Sequence, residues 1–164
     1  MDFELEPPHG IGPLRLGTTV DEARCALGDL GEVTGSVQTG LWVRRPGGLA
    51  FSPGFGRGGR LNSIELYQQH DMLDVARYRD VDVFGMTALE VVERLRGHTR
   101  VVEAAEQEGC FVAPDLLLSL WRPGVDPDDE ETHYFSAVLL ARPGYYDTPA
   151  EAAARQAAGL PPGY

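Results

Sequence analysis

Lysine is absent from the 164 residues: all fourteen basic side chains are arginine, set against 25 acidic ones. The formal net charge of −11 withholds the positive surplus that an unspecific nucleic-acid binder needs to neutralise phosphates. The same sign disfavours an anionic membrane surface. Arginine without lysine, beside 20 Gly and 12 Pro and heavy Ala and Val usage, reads as the mark of a high-GC, actinobacterial genome rather than of functional selection. Cysteine is scarce, and Cys25 and Cys110 are too few for a disulfide framework. No stretch approaches the roughly 18 apolar residues of a membrane span. No basic segment followed by an apolar run opens the chain, so neither a signal peptide nor an anchor is expected, and a reducing cytoplasm is the expected setting.

What is present suffices for a core. Apolar residues make up 43% of the chain and are spread along it, as expected of one domain over 1–164. An internal repeat organises them. Gly17-Thr18-Thr19-Val20-Asp21-Glu22 recurs as Gly85-Met86-Thr87-Ala88-Leu89-Glu90, and Gly40-Leu41-Trp42-Val43 as Gly109-Cys110-Phe111-Val112. Leu49-Ala50-Phe51-Ser52 recurs as Leu116-Leu117-Leu118-Ser119, and Ser63-Ile64-Glu65-Leu66-Tyr67 as Ser136-Ala137-Val138-Leu139-Leu140. The matches keep their order at a nearly constant offset, which defines one copy at 11–69 and a second at 80–142.

Each copy has a physical reading. Thr19 and Thr87 are helix caps with Glu22 and Glu90 three residues on, the spacing of a capping box. Behind them Val20, Ala23, Leu27 and Leu30, and then Ala88, Val91, Val92 and Leu95, share one helical face. Gly28 or Gly31, and Gly97, supply the stops. Three strand-like runs follow each helix, at 41–45, 49–52 and 61–68 and again at 110–113, 116–122 and 133–142. Short strands near 14–16 and 81–84 open the units. The expected fold is α+β, with two tandem β-α-β-β-β repeats forming antiparallel sheets with helices on one face. A C-terminal helix and tail at 148–164 completes it, with Thr148 as cap, Pro149 at the first position and Glu151 three after the cap. That helix either docks on the repeats or frays, and disorder is expected over 161–164.

The run IGPLRLGTTVDEARCALG at 11–28, with the G-x-T-x-x-E helix start and the repeat order over 11–140, resembles the architecture of beta-lactamase-inhibitor proteins. In that family two such units form a saddle whose sheet grips a partner protein. Small outer-membrane lipoproteins of the assembly machinery open in a similar way, and so do small actinobacterial proteins that include immunity factors for toxins. The chain departs from the inhibitors in having no export signal and no cysteine pair within each repeat, so a beta-lactamase target is not implied. The resemblance implies a sheet surface used for binding.

Candidate chemistry is sparse. The run Asp126-Pro127-Asp128-Asp129-Glu130-Glu131 suits a divalent cation or a basic partner, yet it lacks the spaced order of a calcium loop and reads better as a solvated hairpin loop. His9, His70, His98 and His133 show no metal-binding spacing, and no metal or cofactor is expected. His70-Asp71 with Asp74 has the makings of an acid–base pair, but it falls in the polar linker between copies. Cys25, mid-helix beside Arg24, reads as an inert buried thiol. Glycine-rich 54–59 has a strand, not a helix, after it, and so reads as a hairpin turn rather than a phosphate cradle.

Alternation places Leu49, Phe51, Ile64 and Leu66 toward the helix, and Ser52, Ser63, Glu65 and Tyr67 on the other face. In the second copy Leu116, Leu118 and Leu120 face in, which leaves Leu117, Ser119, Trp121, Ser136, Val138 and Leu140 opposite. So apolar a second face reads first as packed against the other copy or the tail helix, and second as a partner-binding face. On the binding reading, Trp121 and Tyr67 anchor it, and Glu65, Ser119 and Ser136 lie beside them. The expected function is a non-enzymatic binding protein, an inhibitor or immunity-type partner of a protein that is basic to match this charge. One alternative is a small-molecule-binding or enzymatic domain with a pocket between the repeats. Another is an assembly module that dimerises through sheet edges, so monomer and homodimer both stay open.

Overall fold

Helices start where threonine can accept an orphan backbone N–H and a glutamate can reach back. The computed structural model, which describes residues 1–69 and 72–159, shows this device three times. It opens α1 (Val20–Gly28) at Thr19 with Glu22, α2 (Ala88–Arg96) at Thr87 with Glu90, and α3 (Pro149–Ala157) at Thr148 with Glu151. The returning carboxylate bonds lie at 2.8, 3.0 and 2.7 Å. The apolar faces of α1 and α2 then enter the core, with Ala23 and Leu27 from one and Ala88, Val91, Val92 and Leu95 from the other. α3 buries no residue.

Four strands follow each of the first two helices. After α1 come β4 (Val33–Ser36), β5 (Gly40–Arg44), β6 (Leu49–Phe55) and β7 (Leu61–Gln68). After α2 come β10 (Val102–Glu103), β11 (Phe111–Ala113), β12 (Leu118–Trp121) and β13 (Ala137–Ala141). They form one antiparallel eight-stranded sheet in the order β10-β11-β12-β13-β7-β6-β5-β4. The two helix-plus-strands halves therefore meet edge to edge, β13 against β7, with Leu66 opposite Val138 and Ile64 opposite Leu140. The β4–β5 hairpin depends on Gly35, whose φ of +82° would strain any side chain and whose Cβ would collide with the Gly40 carbonyl.

A second sheet of five strands, in the order β3-β2-β1-β8-β9, comprises β1 (Asp2–Glu6), β2 (Gly10–Ile11), β3 (Leu14–Arg15), β8 (Val75–Tyr78) and β9 (Val81–Asp82). Phe3, Leu5, Ile11, Leu14, Ala76 and Val81 bring it into the same hydrophobic cluster as the two helices and the inner face of the large sheet. A buried ion pair ties the sheets together. Arg45 Nε donates to Asp74 Oδ2 at 3.0 Å, Arg45 Nη1 donates to the Leu30 carbonyl, and the guanidinium lies 4.9 Å from the Phe3 ring centroid. The Met1 amine is 3.3 Å from Asp74 Oδ1.

The structure is mixed α and β, mostly sheet, and several expectations need correction. In the large sheet α1 and α2 are each followed by four strands rather than three, because the short β4 and β10 carry no apolar alternation for a sequence reading to find. The sheets are not wholly antiparallel: β1 runs parallel to β8, with Phe3 opposite Ala76. The run expected as a strand from residue 133 begins instead with a short 3₁₀ turn (Glu130–His133), and β13 starts at Ala137. Cys25 is exposed, not buried; Cys110 is the buried thiol, and both are free. His70 and Asp71, and the tail at 161–164, lie outside the described residues. Among the described residues no helix is long and apolar enough to cross a membrane.

Candidate functional site

Residues directly opposite one another in an antiparallel ladder point to the same side of the sheet. The ladder therefore builds the outer face row by row. One row runs Arg44, Ala50, Tyr67, Ala137, Trp121 across β5, β6, β7, β13 and β12. The next includes Ser52, Glu65, Leu139, Ser119, Val112 and Val102 across β6, β7, β13, β12, β11 and β10. Trp42 joins the same face from β5, its ring centroid 5.0 Å from that of Tyr67 and the planes tilted by 36°. Small Ala50 and Ala137 flank Tyr67 and leave room for the larger rings. At about 4.8 Å per strand, Arg44 and Trp121 stand about 19 Å apart along the first row.

Four of the five candidate residues lie on this face. Glu65, Tyr67, Ser119 and Trp121 share it, and Trp121 is 44% exposed. Ser136 does not, because it comes one residue before Ala137, which takes the outward position at the start of β13. Val138 and Leu140, expected beside it on the outer face, are fully buried on the inner one. Their partners Leu66 and Ile64 fix that side, and Ala137, Leu139 and Ala141 point outward instead. Leu117 also leaves the alternation: it turns the chain with φ of +54° ahead of β12. Trp42 and Leu139 were missed, although Trp42 is legible from the alternation between buried Leu41 and Val43.

The electrostatics of the face centre on Glu65. Burial first, and then hydrogen bonding to and the charge of Glu65, push the Tyr67 phenol far above its ordinary range, so it remains a neutral donor. Tyr146, from the segment after β13, bonds Ser119 through its hydroxyl at 2.9 Å. Burial raises its phenol too, against the lowering effect of that bond. Tyr145 packs edge-on to it at 4.9 Å.

Ser136 belongs to a different feature. At one end of the face a cleft of about 750 Å³ opens between the halves, lined by Arg44, Gln68, Gln69 and Met72 from one and by Glu130, Glu131, Tyr134 and Ser136 among the residues of the other. Asp74, expected near His70 as an acid–base partner, is held in the Arg45 ion pair. Elsewhere His98 has both ring nitrogens engaged. Arg79, which can only donate, is 3.1 Å from Nδ1, so the proton sits on Nε2, 2.9 Å from Asp80 Oδ1. His133 Nε2 lies 3.1 Å from the Pro127 carbonyl. Among the described residues no three His, Cys, Asp or Glu side chains gather closely enough to share a metal ion.

Comparison of the chain with protein-family models, with curated proteins and with solved structures finds no match.

Proposed function

We propose that this chain is a non-enzymatic protein-binding module, of inhibitor or immunity type, that docks its partner on the outer face of the eight-stranded sheet. The observation that carries the reading is the outer-face set Trp42, Tyr67 and Trp121 with Leu139 between them, Trp121 exposed and the others half-buried. Aromatic anchors of this kind dominate interface energetics, and a rigid sheet presents them at little entropic cost. The arrangement of the two halves, each a capped helix followed by four strands, supports reading them as tandem copies that together make the face. It also accords with the resemblance to saddle-shaped inhibitors. Two free thiols suit a reducing cytoplasm. The outer strands β4 and β10 leave room for either a monomer or an edge-paired homodimer, which light scattering separates.

Affinity capture with the tagged chain tests the reading. A stoichiometric protein partner is expected, lost on Trp121→Ala and on Trp42→Ala while thermal unfolding of both variants stays within a few degrees of the parent. A partner retained by both variants removes the sheet face as the docking surface.

The cleft between the halves favours a second reading, a small-molecule site. Its amides, hydroxyls and opposed charges from Arg44 and from Glu130 and Glu131 converge as they do in ligand pockets. A thermal-shift screen of small zwitterionic metabolites checks it, and Gln68→Ala with Ser136→Ala is expected to abolish any shift found.

A further inference from the structure

Trp121 lines one of two neighbouring hollows. Its own is a hollow of about 420 Å³ shared with Glu108, Gln107 and Val125 among others, and the second is the inter-half cleft with Glu130 and Glu131. Pro123 lines both. The three carboxylates are exposed, as is the indole. The neighbouring cation is turned away: Arg122 is 8% exposed, donating from Nε to the Gly109 carbonyl at 2.8 Å and from Nη1 to the Thr132 carbonyl at 3.1 Å. Arg44 lines the inter-half cleft with Glu130 and Glu131, four strands along the row from Trp121. An exposed aromatic thus shares a hollow with one carboxylate and adjoins, at Pro123, a cleft that holds two more, in a chain whose net charge is −11.

We infer that this patch docks a basic loop of a protein partner, with an arginine side chain laid on Trp121 and neighbouring cations reaching Glu108 in the same hollow and Glu130 and Glu131 in the adjoining cleft. The inference rests on the reading of the sheet face as a protein-docking surface. Tryptophan is the strongest of the aromatic partners for a cation, and guanidinium stacks on it while keeping its edge donors free for carboxylates. The carboxylates then add charge-assisted bonds, and the net charge steers a basic partner toward the face. Lysine has one compact ammonium and cannot stack and fork at once, so arginine is preferred.

Isothermal titration of the whole chain with acetylated, amidated hexa-arginine at physiological ionic strength tests this. One-to-one binding is expected, about threefold or more tighter than that of hexa-lysine. Trp121→Ala and the double variant Glu130→Gln/Glu131→Gln should each weaken it about fivefold. The control Asp21→Asn/Glu93→Gln removes the same charge from the two helices and should leave it unchanged. Equal weakening by that control, or no binding of hexa-arginine, overturns the inference. The broader reading fails separately, when a captured partner survives both tryptophan variants. A partner lost with Trp121→Ala but unaffected by Glu130→Gln/Glu131→Gln keeps the face and overturns the basic loop.

Discussion

Leu66 and Val138 lie directly opposite each other where β7 meets β13, and both are fully buried. The joint between the two halves of the large sheet is therefore made by core side chains as well as by backbone ladder bonds.

That joint gives the first prediction. Leu140→Ala removes a fully buried side chain beside it and should cost about 2–5 kcal/mol, read from denaturant unfolding. Leu139→Ala, one residue earlier on the outer face, should cost about 1 kcal/mol. The reverse order would put β13 in the other register.

Acid stability should follow Asp74. Burial alone would raise its carboxyl, but the Arg45 guanidinium and the Leu49 N–H outweigh it and hold the group below its ordinary value of 3.8. A depressed carboxylate stabilises the fold above its unfolded value, and that contribution disappears as pH falls through the folded one. Unfolding free energy should thus decline below about pH 4. Asp74→Asn should cost about 3 kcal/mol at neutral pH by stranding Arg45, and should flatten the acid limb.

Tyr67 governs the alkaline side. Its phenol is raised in the folded chain, so above about pH 10 the unfolded chain releases a proton that the folded one keeps. Stability should fall as pH rises through that range. Absorbance at the tyrosinate band should show Tyr146 ionising late and Tyr67 later still, on unfolding, and Tyr67→Phe should remove that last step.

The three capping boxes should not be equal in effect. Thr87→Ala should cost about 1 kcal/mol of global stability, since α2 buries four residues. Thr148→Ala breaks the same motif on a helix that buries none, and should lower helical content without moving the unfolding midpoint. Circular dichroism beside calorimetry distinguishes the two.

Local signals were the legible ones. Thr19, Thr87 and Thr148 each carry a glutamate three residues on, and all three begin helices, because a capping box is satisfied by neighbours in the chain. Ile64 to Tyr67 alternates between the core and the outer face, and β7 forms over the expected residues, Leu61 to Gln68. Of the five-stranded sheet, β3 and β9 lie where short strands are expected from the sequence, but β1, β2 and β8 are not legible there, because they are short and the central pairing joins Asp2–Glu6 to Val75–Tyr78, far apart in sequence. Val138 was assigned to the wrong face because a single extra turn before β13 shifts parity, and a shift of one residue exchanges the two sides of a strand.

The sequence by itself determined the helix starts, the inner apolar rows of β6 and β7, the acidic balance, and the pairing of Glu65 with Tyr67 on one face, since all of these depend on spacing within a few residues. Only the tertiary structure decided that the halves join through β7 and β13, that Trp42 packs against Tyr67, and that Trp121 shares a hollow with Glu108. Those relations depend on ladder register and loop path between distant segments, which core packing selects and no local pattern encodes.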